Sequence, residues 1–327
     1  MAVNRNADNT TGFYYESGTY ANASGGLQWI GAVQEFSATD DPQVQPIRYH
    51  GTATRNVNQF VSTGKRHTGT VSFYPQDWKT VLFALGSCVD TSGSTSTHVI
   101  SELDGGNSAA NVSGTENPFY SFQLYHHKNV PGTGVKSSWQ YAGAVCNTWT
   151  LNVPQGGILS VDMGWIAQSV TYGSGTVASI TENTTRPFVS SDVKLHLPSG
   201  TVISLMNTAT LSINNNFDAK QYANASGVIG VPIPGARDYM LDTGLDASSE
   251  RNKALFEQYL MGGSEVNALL DVTVSASRYA YFTMSGGRLV TLETNGGTEG
   301  TVTQTFGYQP KSLSVSTGDV IPKYNAW

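Results

Sequence analysis

Charge is scarce in this sequence. Asp, Glu, Lys and Arg make up 13% of its 327 residues, about half the usual ~25%, and what charge there is does not cluster. Residues 1–185 carry 8 basic and 12 acidic side chains and residues 186–327 carry 10 and 12, for a net −6. With no basic tract, stable binding to a phosphate backbone is disfavoured. Cysteine is scarcer still: Cys88 and Cys146 are the whole complement, expected as two buried free thiols in preference to one disulfide. No apolar run approaches the ~18 residues that cross a bilayer as a helix. The opening MAVNRNADNTTG lacks the apolar stretch of a signal peptide or anchor. The expectation is a protein made in a cytoplasm, with no membrane partner.

Chemical signatures are missing too. None of the six histidines (His50, His67, His98, His126, His127, His196) has a partner at zinc-like spacing, and there is no Cys-x-x-Cys. His126 and His127 would point to opposite faces of a strand. There is no G-x-S-x-G elbow, phosphate loop or glycine fingerprint. Asp40-Asp41 and Glu102-Leu-Asp104 are the tight carboxylate groupings, and they read as turn acids. The expectation is no catalytic residue, no cofactor and no metal. Trp29, Trp149 and Trp165 could stack sugars in a lectin-like sandwich, but they alternate with other apolar residues and so fit a core better.

What the sequence does have is 35 Gly, 39% hydrophobic residues and abundant Ser, Thr and Asn, a composition that suits many short strands and tight turns. Residues 27–36 and 202–213 alternate as strands, with an irregularity near Gly31. One helix is well marked: Asp77 can cap it, Trp78, Val81, Leu82 and Leu85 form a stripe, and Gly86 stops it. A second helix carries Leu255, Phe256, Tyr259 and Leu260, ending at Gly262-Gly263. Each should lie across one sheet face as an amphipathic seal. Closing hairpins follow, turning at Gly156-Gly157 and at Gly296-Gly297.

These elements come in the same order twice. The hexapeptide YANASG also occurs twice, beginning at Tyr20 and Tyr222, but nothing else matches at that spacing and it is a coincidence. A different series matches: Gln34–Ala38 with Ala209–Ile213, Arg66 with Arg237, and Ser160–Gln168 with Thr301–Gln309. Loop lengths drift between the copies, as surface insertions allow. The expected organisation is an arm at 1–23, a first unit at 24–185 with an exposed insertion at about 88–139, a second unit at 186–310, and an arm at 311–327.

This order, with GTATRNVNQFVSTGKR (51–66), TGTVSFY (68–74) and the helix from Asp77, resembles the tail tube proteins of tailed phages. The second copy is similar in LSINNN (211–216) and in Gly235-Ala-Arg237. The resemblance implies a mainly β fold of two tandem β-sandwich or open-barrel domains, each flanked by one helix. It implies a virion tail protein, assembled in a host cytoplasm, whose rings stack into a conduit for DNA ejection. Six domains per ring would then mean a trimer. Implied partners are further copies of the chain, DNA in non-sticking passage, and the tape measure, terminator and baseplate proteins. Asp162, Glu293 and Glu299 are the candidate acids of an inner lining that repels phosphates, and Arg66 and Arg237 the candidate inter-domain or inter-subunit contacts. The long loops at 40–64 and 214–235 and the terminal arms would join one ring to the next. A capsid decoration protein, a baseplate component and a carbohydrate-binding β-sandwich stay open as alternatives.

Overall fold

A computed structural model describes the chain except for residues 1–7, 17–20, 22, 49–56, 58, 92–96, 103–120, 131–134, 174–179, 204, 219–231, 233, 247–262, 296–302 and 319–327. The fold is mainly β. In chain order the strands are β1 (Asp8–Glu16), β2 (Ala23–Trp29), β3 (Ala32–Asp41), β4 (Val44–Ile47), β5 (Gln59–Ser62) and β6 (Arg66–Tyr74). Helix α1 (Lys79–Leu85) precedes β7 (Gly86–Thr91), β8 (Thr97–Glu102), β9 (Phe122–Val130) and β10 (Val135–Val153). Then come β11 (Ser160–Ala167), β12 (Ser169–Gly173), β13 (Val193–His196), β14 (Met206–Asn214) and β15 (Asp238–Asp246). The last four are β16 (Val266–Ser275), β17 (Arg278–Asn295), β18 (Thr303–Gln309) and β19 (Ser312–Gly318).

Seventeen of these strands form three connected antiparallel sheets. Sheet I runs β3-β6-β11-β10-β14-β15-β18-β17. Sheet II runs β2-β1-β9-β10-β12, and sheet III runs β13-β16-β17-β19-β8-β7. Strands β4 and β5 make a separate hairpin. The long strands β10 and β17 each serve two sheets, and both change sheet at a glycine. Gly143 (φ 63) and Gly286 (φ 61) lie in the left-handed region, which glycine enters without a Cβ penalty. Each sits in a ladder irregularity, against β9 and β16 respectively. The amide freed by each bend finds a side-chain acceptor. Gly143 N–H donates to Glu16 Oε1 at 2.7 Å and Gly286 N–H to Asn267 Oδ1 at 2.8 Å. Burial pushes the Glu16 carboxyl above its usual range, against the pull of these hydrogen bonds.

The apolar faces of the sheets enclose one continuous core, which α1 plugs. All seven helix residues are buried, Lys79 and Thr80 among them. The stripe Trp78, Val81, Leu82 and Leu85 is fully inaccessible, but its opposite face is buried as well. The helix is therefore a plug between sheets, where an amphipathic seal was expected. Phe83 meets Phe13 and Phe122 of sheet II, and Trp78 meets Phe282 of sheet III. Trp149 of sheet I donates its indole N–H to Thr80 Oγ1 at 3.2 Å. The N-cap position falls on Trp78, whose side chain makes no capping hydrogen bond, and Asp77 Oδ1 accepts the Lys79 N–H at 3.2 Å from one residue earlier; Gly86 closes the C-terminus at φ 99, as the sequence suggests. The stripe Leu255, Phe256, Tyr259 and Leu260 lies outside the described residues. Cys88 and Cys146 are buried and free.

Three stretches expected at the periphery contribute to the core. Within 1–23, β1 inserts Phe13 and Tyr15; within 311–327, β19 inserts Leu313 and Val315. Within 88–139, β8 and β9 bury Ile100, Phe122 and Leu124, and β8 ladders with β19 near the other end of the chain. Their Ser- and Thr-rich composition reflects strands with one polar face.

Two outcomes test this packing. A Cβ at Gly69 would stand 2.2 Å from the Ser37 carbonyl and 2.4 Å from the Trp165 ring, whereas one at Gly26 would meet nothing within 4 Å. Gly69→Ala is expected to destabilise by at least ~1–3 kcal/mol in denaturant melts, and Gly26→Ala by far less. His126 stacks on Phe36 at 4.2 Å and its Nδ1 pairs with Thr11 Oγ1 at 2.9 Å. Burial, with His127 and Lys128 alongside, lowers its pKa from 6.5 to about 4. A depressed folded-state pKa stabilises above the unfolded value and is lost as pH falls through the folded one. Tm should drop as pH goes from 6.5 to 4, and His126→Phe should remove much of that drop.

Candidate functional site

Along sheet I, residues alternate between the core and a polar face. Trp149, Leu151 and Val153 point inward on β10, Val161, Met163 and Trp165 on β11, and Ala209, Leu211 and Ile213 on β14. Their neighbours Thr148, Thr150, Asn152, Thr208, Thr210 and Ser212 are on the other face, with Thr70 and Ser72 of β6. That face also carries Glu35, Asp41, Asp162, Asp238, Asp242, Asp246 and Glu293. Its described basic residues are Arg66, first in β6, and Arg288, where β17 passes between sheets; Arg288 lies 3.7 Å from Glu265. A broad, Thr-rich surface of negative sign results. Partial burial raises the Asp242 carboxyl above its usual range.

The candidate lining acids divide. Asp162 is half-buried and held, accepting the Ser72 hydroxyl and, at 2.8 Å, Asn152 Nδ2. Glu293 is exposed, opposite Thr305. Glu299 lies outside the described residues. Arg66 is exposed opposite Asp41. Arg237 is half-buried and turned into the chain, donating Nε–H to Asn215 Oδ1 at 2.6 Å. Asn215 is itself buried and donates to the Ala84 and Cys146 carbonyls.

The two ends of sheet I matter as much as its face. Among the described residues β3 has β6 as its ladder partner, and residues 288–295 of β17 have β18. The outer side of each carries no ladder. Most of β3 is exposed, from Gln34 to Asp41 apart from Phe36. The three ladders preceding the middle of the sheet also recur after it. Glu35 opposite Ser72 is matched by Thr208 opposite Gly244, and Val161 opposite Phe73 by Gln304 opposite Leu245. Thr148 opposite Gly164 is matched by Thr291 opposite Gly307. The bulges coincide as well, at Gln34 and Asn207 and at Asn147 and Val290. This register aligns Arg66 with Asp238, one residue from Arg237, and Gln34 with Asn207, two residues from Ala209.

Among the described residues, Asp40 joins a small polar cluster: its Oδ1 is 2.6 Å from His67 Nδ1 and its Oδ2 accepts Tyr172 O–H at 2.8 Å, with no serine or cysteine hydrogen-bonded to it. Among the described residues no three His, Cys, Asp or Glu side chains come together as metal ligands do.

With that geometry in place, the comparisons are decisive in one respect. The family model described as phage tail tube protein matches residues 45–310. The chain belongs to the phage tail tube protein family. It is a structural protein of the phage tail. No curated protein matches the chain. Among solved structures it is similar to a chain from the "tail of empty GTA particle computed with helical refinement, C6 symmetry", at 12% identity, over 41% of this chain and 97% of that one. The TM-score is 0.31, too loose a likeness to carry argument.

Polar-face residues should separate by their partners. Asp162→Ala leaves Ser72 and Asn152 without their acceptor and is expected to cost about 1–3 kcal/mol. Glu293→Ala, which removes no such bond, should stay within ~0.5 kcal/mol. Chemical denaturation of the two variants checks this.

Proposed function

We propose that the chain is a fused pair of tube units and that three copies close into a ring of six. Rings then stack into the tail conduit through which DNA passes, with no substrate turned over. The observation that carries this reading is the recurrence of the same three ladders, bulges included, on either side of the middle of sheet I. A sheet with two uncovered edges is an aggregation hazard until the edges are paired, and ring closure pairs them. The acidic, Thr-rich face suits a lining, because it repels phosphates at short range. Asp162 and Glu293 belong to that lining in this reading.

Stacking falls to the parts that leave the sheets. The β4–β5 hairpin stands apart from the three sheets, and Phe60 on it is 68% exposed. A large exposed aromatic on a protruding hairpin fits a contact with the next ring or with the tail components at the tube's ends. Negative-stain microscopy tests both levels at once. The unmodified protein should give rings and tubes, and Phe60→Asp should give rings with few or short tubes. A protein that stays single at high concentration contradicts the reading.

A further inference from the structure

We infer that β17 of one copy pairs with β3 of the next in one particular register, the register already present inside each chain where β10 meets β14. This rests on the ring proposal and adds to it the residues that meet.

Sheet I contains β3-β6-β11-β10 followed by β14-β15-β18-β17, with matching ladders in each set. The join between the sets is a last strand against a first strand. There Thr148 faces Asn214, Thr150 faces Ser212, Leu151 faces Leu211 and Asn152 faces Thr210. The uncovered edges are again a last strand, β17, and a first strand, β3. The counterparts of Thr148, Thr150, Leu151 and Asn152 are Thr291, Glu293, Thr294 and Asn295. Those of Asn214, Ser212, Leu211 and Thr210 are Asp41, Thr39, Ala38 and Ser37. The join between copies therefore sets Thr291 opposite Asp41, Glu293 opposite Thr39, Thr294 opposite Ala38 and Asn295 opposite Ser37.

This register is also one that closes. Crossing the first set along its hydrogen bonds leads from Glu35 through Ser72, Asp162 and Thr150 to Ser212. The counterpart of Glu35 is Thr208, so each set of four strands advances the stagger by four residues. A barrel whose shear equals its strand number has strands tilted by about 36°, as in the eight-stranded case, within the ~35–45° range of natural barrels. With strands about 4.8 Å apart, three copies joined this way make a barrel about 45 Å across its backbone.

The two joins differ in chemistry. Inside the chain, Trp149 and Ile213 and then Leu151 and Leu211 meet on the core face, all buried. Between copies the corresponding pairs are Leu292 with Asp40 and Thr294 with Ala38, smaller and more polar. Asp40 is already held by His67 and Tyr172. An edge of this kind resists indiscriminate pairing yet accepts a partner that brings the matching ladder.

Chains with one added cysteine test the register, because the native Cys88 and Cys146 are buried. Glu293→Cys and Thr39→Cys chains, mixed, assembled and oxidised, should crosslink between copies, since directly opposite strand residues lie within disulfide reach. Glu293→Cys mixed with Glu35→Cys, roughly 14 Å away along the strand, should not. As a check free of substitutions, amide exchange in residues 32–41 and 291–295 of the unmodified protein should slow on assembly. Tubes that crosslink Glu293→Cys through Asp41→Cys or Ser37→Cys in place of Thr39→Cys, or that leave those amides fast, overturn the register but keep the tube. Failure of the unmodified protein to assemble at all overturns both.

Discussion

A β-strand must satisfy the backbone N–H and C=O groups on both of its sides, and among the described residues sheet I has no ladder on the outer side of its two end strands. One face of the sheet is already committed to the core through Trp149, Trp165, Leu211 and their neighbours. The other is mostly polar. In the proposed ring, growth is directed along the hydrogen-bonding direction, where β3 and residues 288–295 of β17 each have a single ladder partner among the described residues. Shape follows from the same constraint, because the stagger built into the ladders tilts the strands and curves the sheet.

Holding so wide a sheet rigid needs support from behind. The bends at Gly143 and Gly286 provide it, by letting β10 and β17 leave sheet I and become central strands of sheets II and III. Each continuous strand ties its two sheets together covalently. The helix then fills the space where the three sheets converge, which explains why it is so short and why even Lys79 is enclosed, 3.5 Å from Asp77. The β7–β8 hairpin extends this bracing by laddering onto β19 across the two halves of the chain.

Much of this was legible in the sequence. The alternation of Trp149, Leu151 and Val153, the Asp77 and Gly86 signals and the polar faces all point to elements that the structure contains. The register between the halves was not legible to the residue. A slip of two keeps every side chain on its face, so Gln34 aligns as plausibly with Ala209 as with Asn207, and only the bulges decide. A slip of one does change the face, and it separates exposed Arg66 from Arg237, bound to Asn215. Strand β19 was hidden because Ser, Thr and Gly dominate its composition, and β1 and β8 because each lies beside a polar, turn-rich stretch of sequence. Tyr172, which reaches Asp40 from sheet II, had no sequence signal.

The account's central claim is that one chain supplies two consecutive segments of a single closed wall. The mass of an isolated ring tests it most directly. Native mass spectrometry of rings should give three times the 34.9 kDa chain mass. A ring of six chains, or a closed ring of one or two, would contradict it.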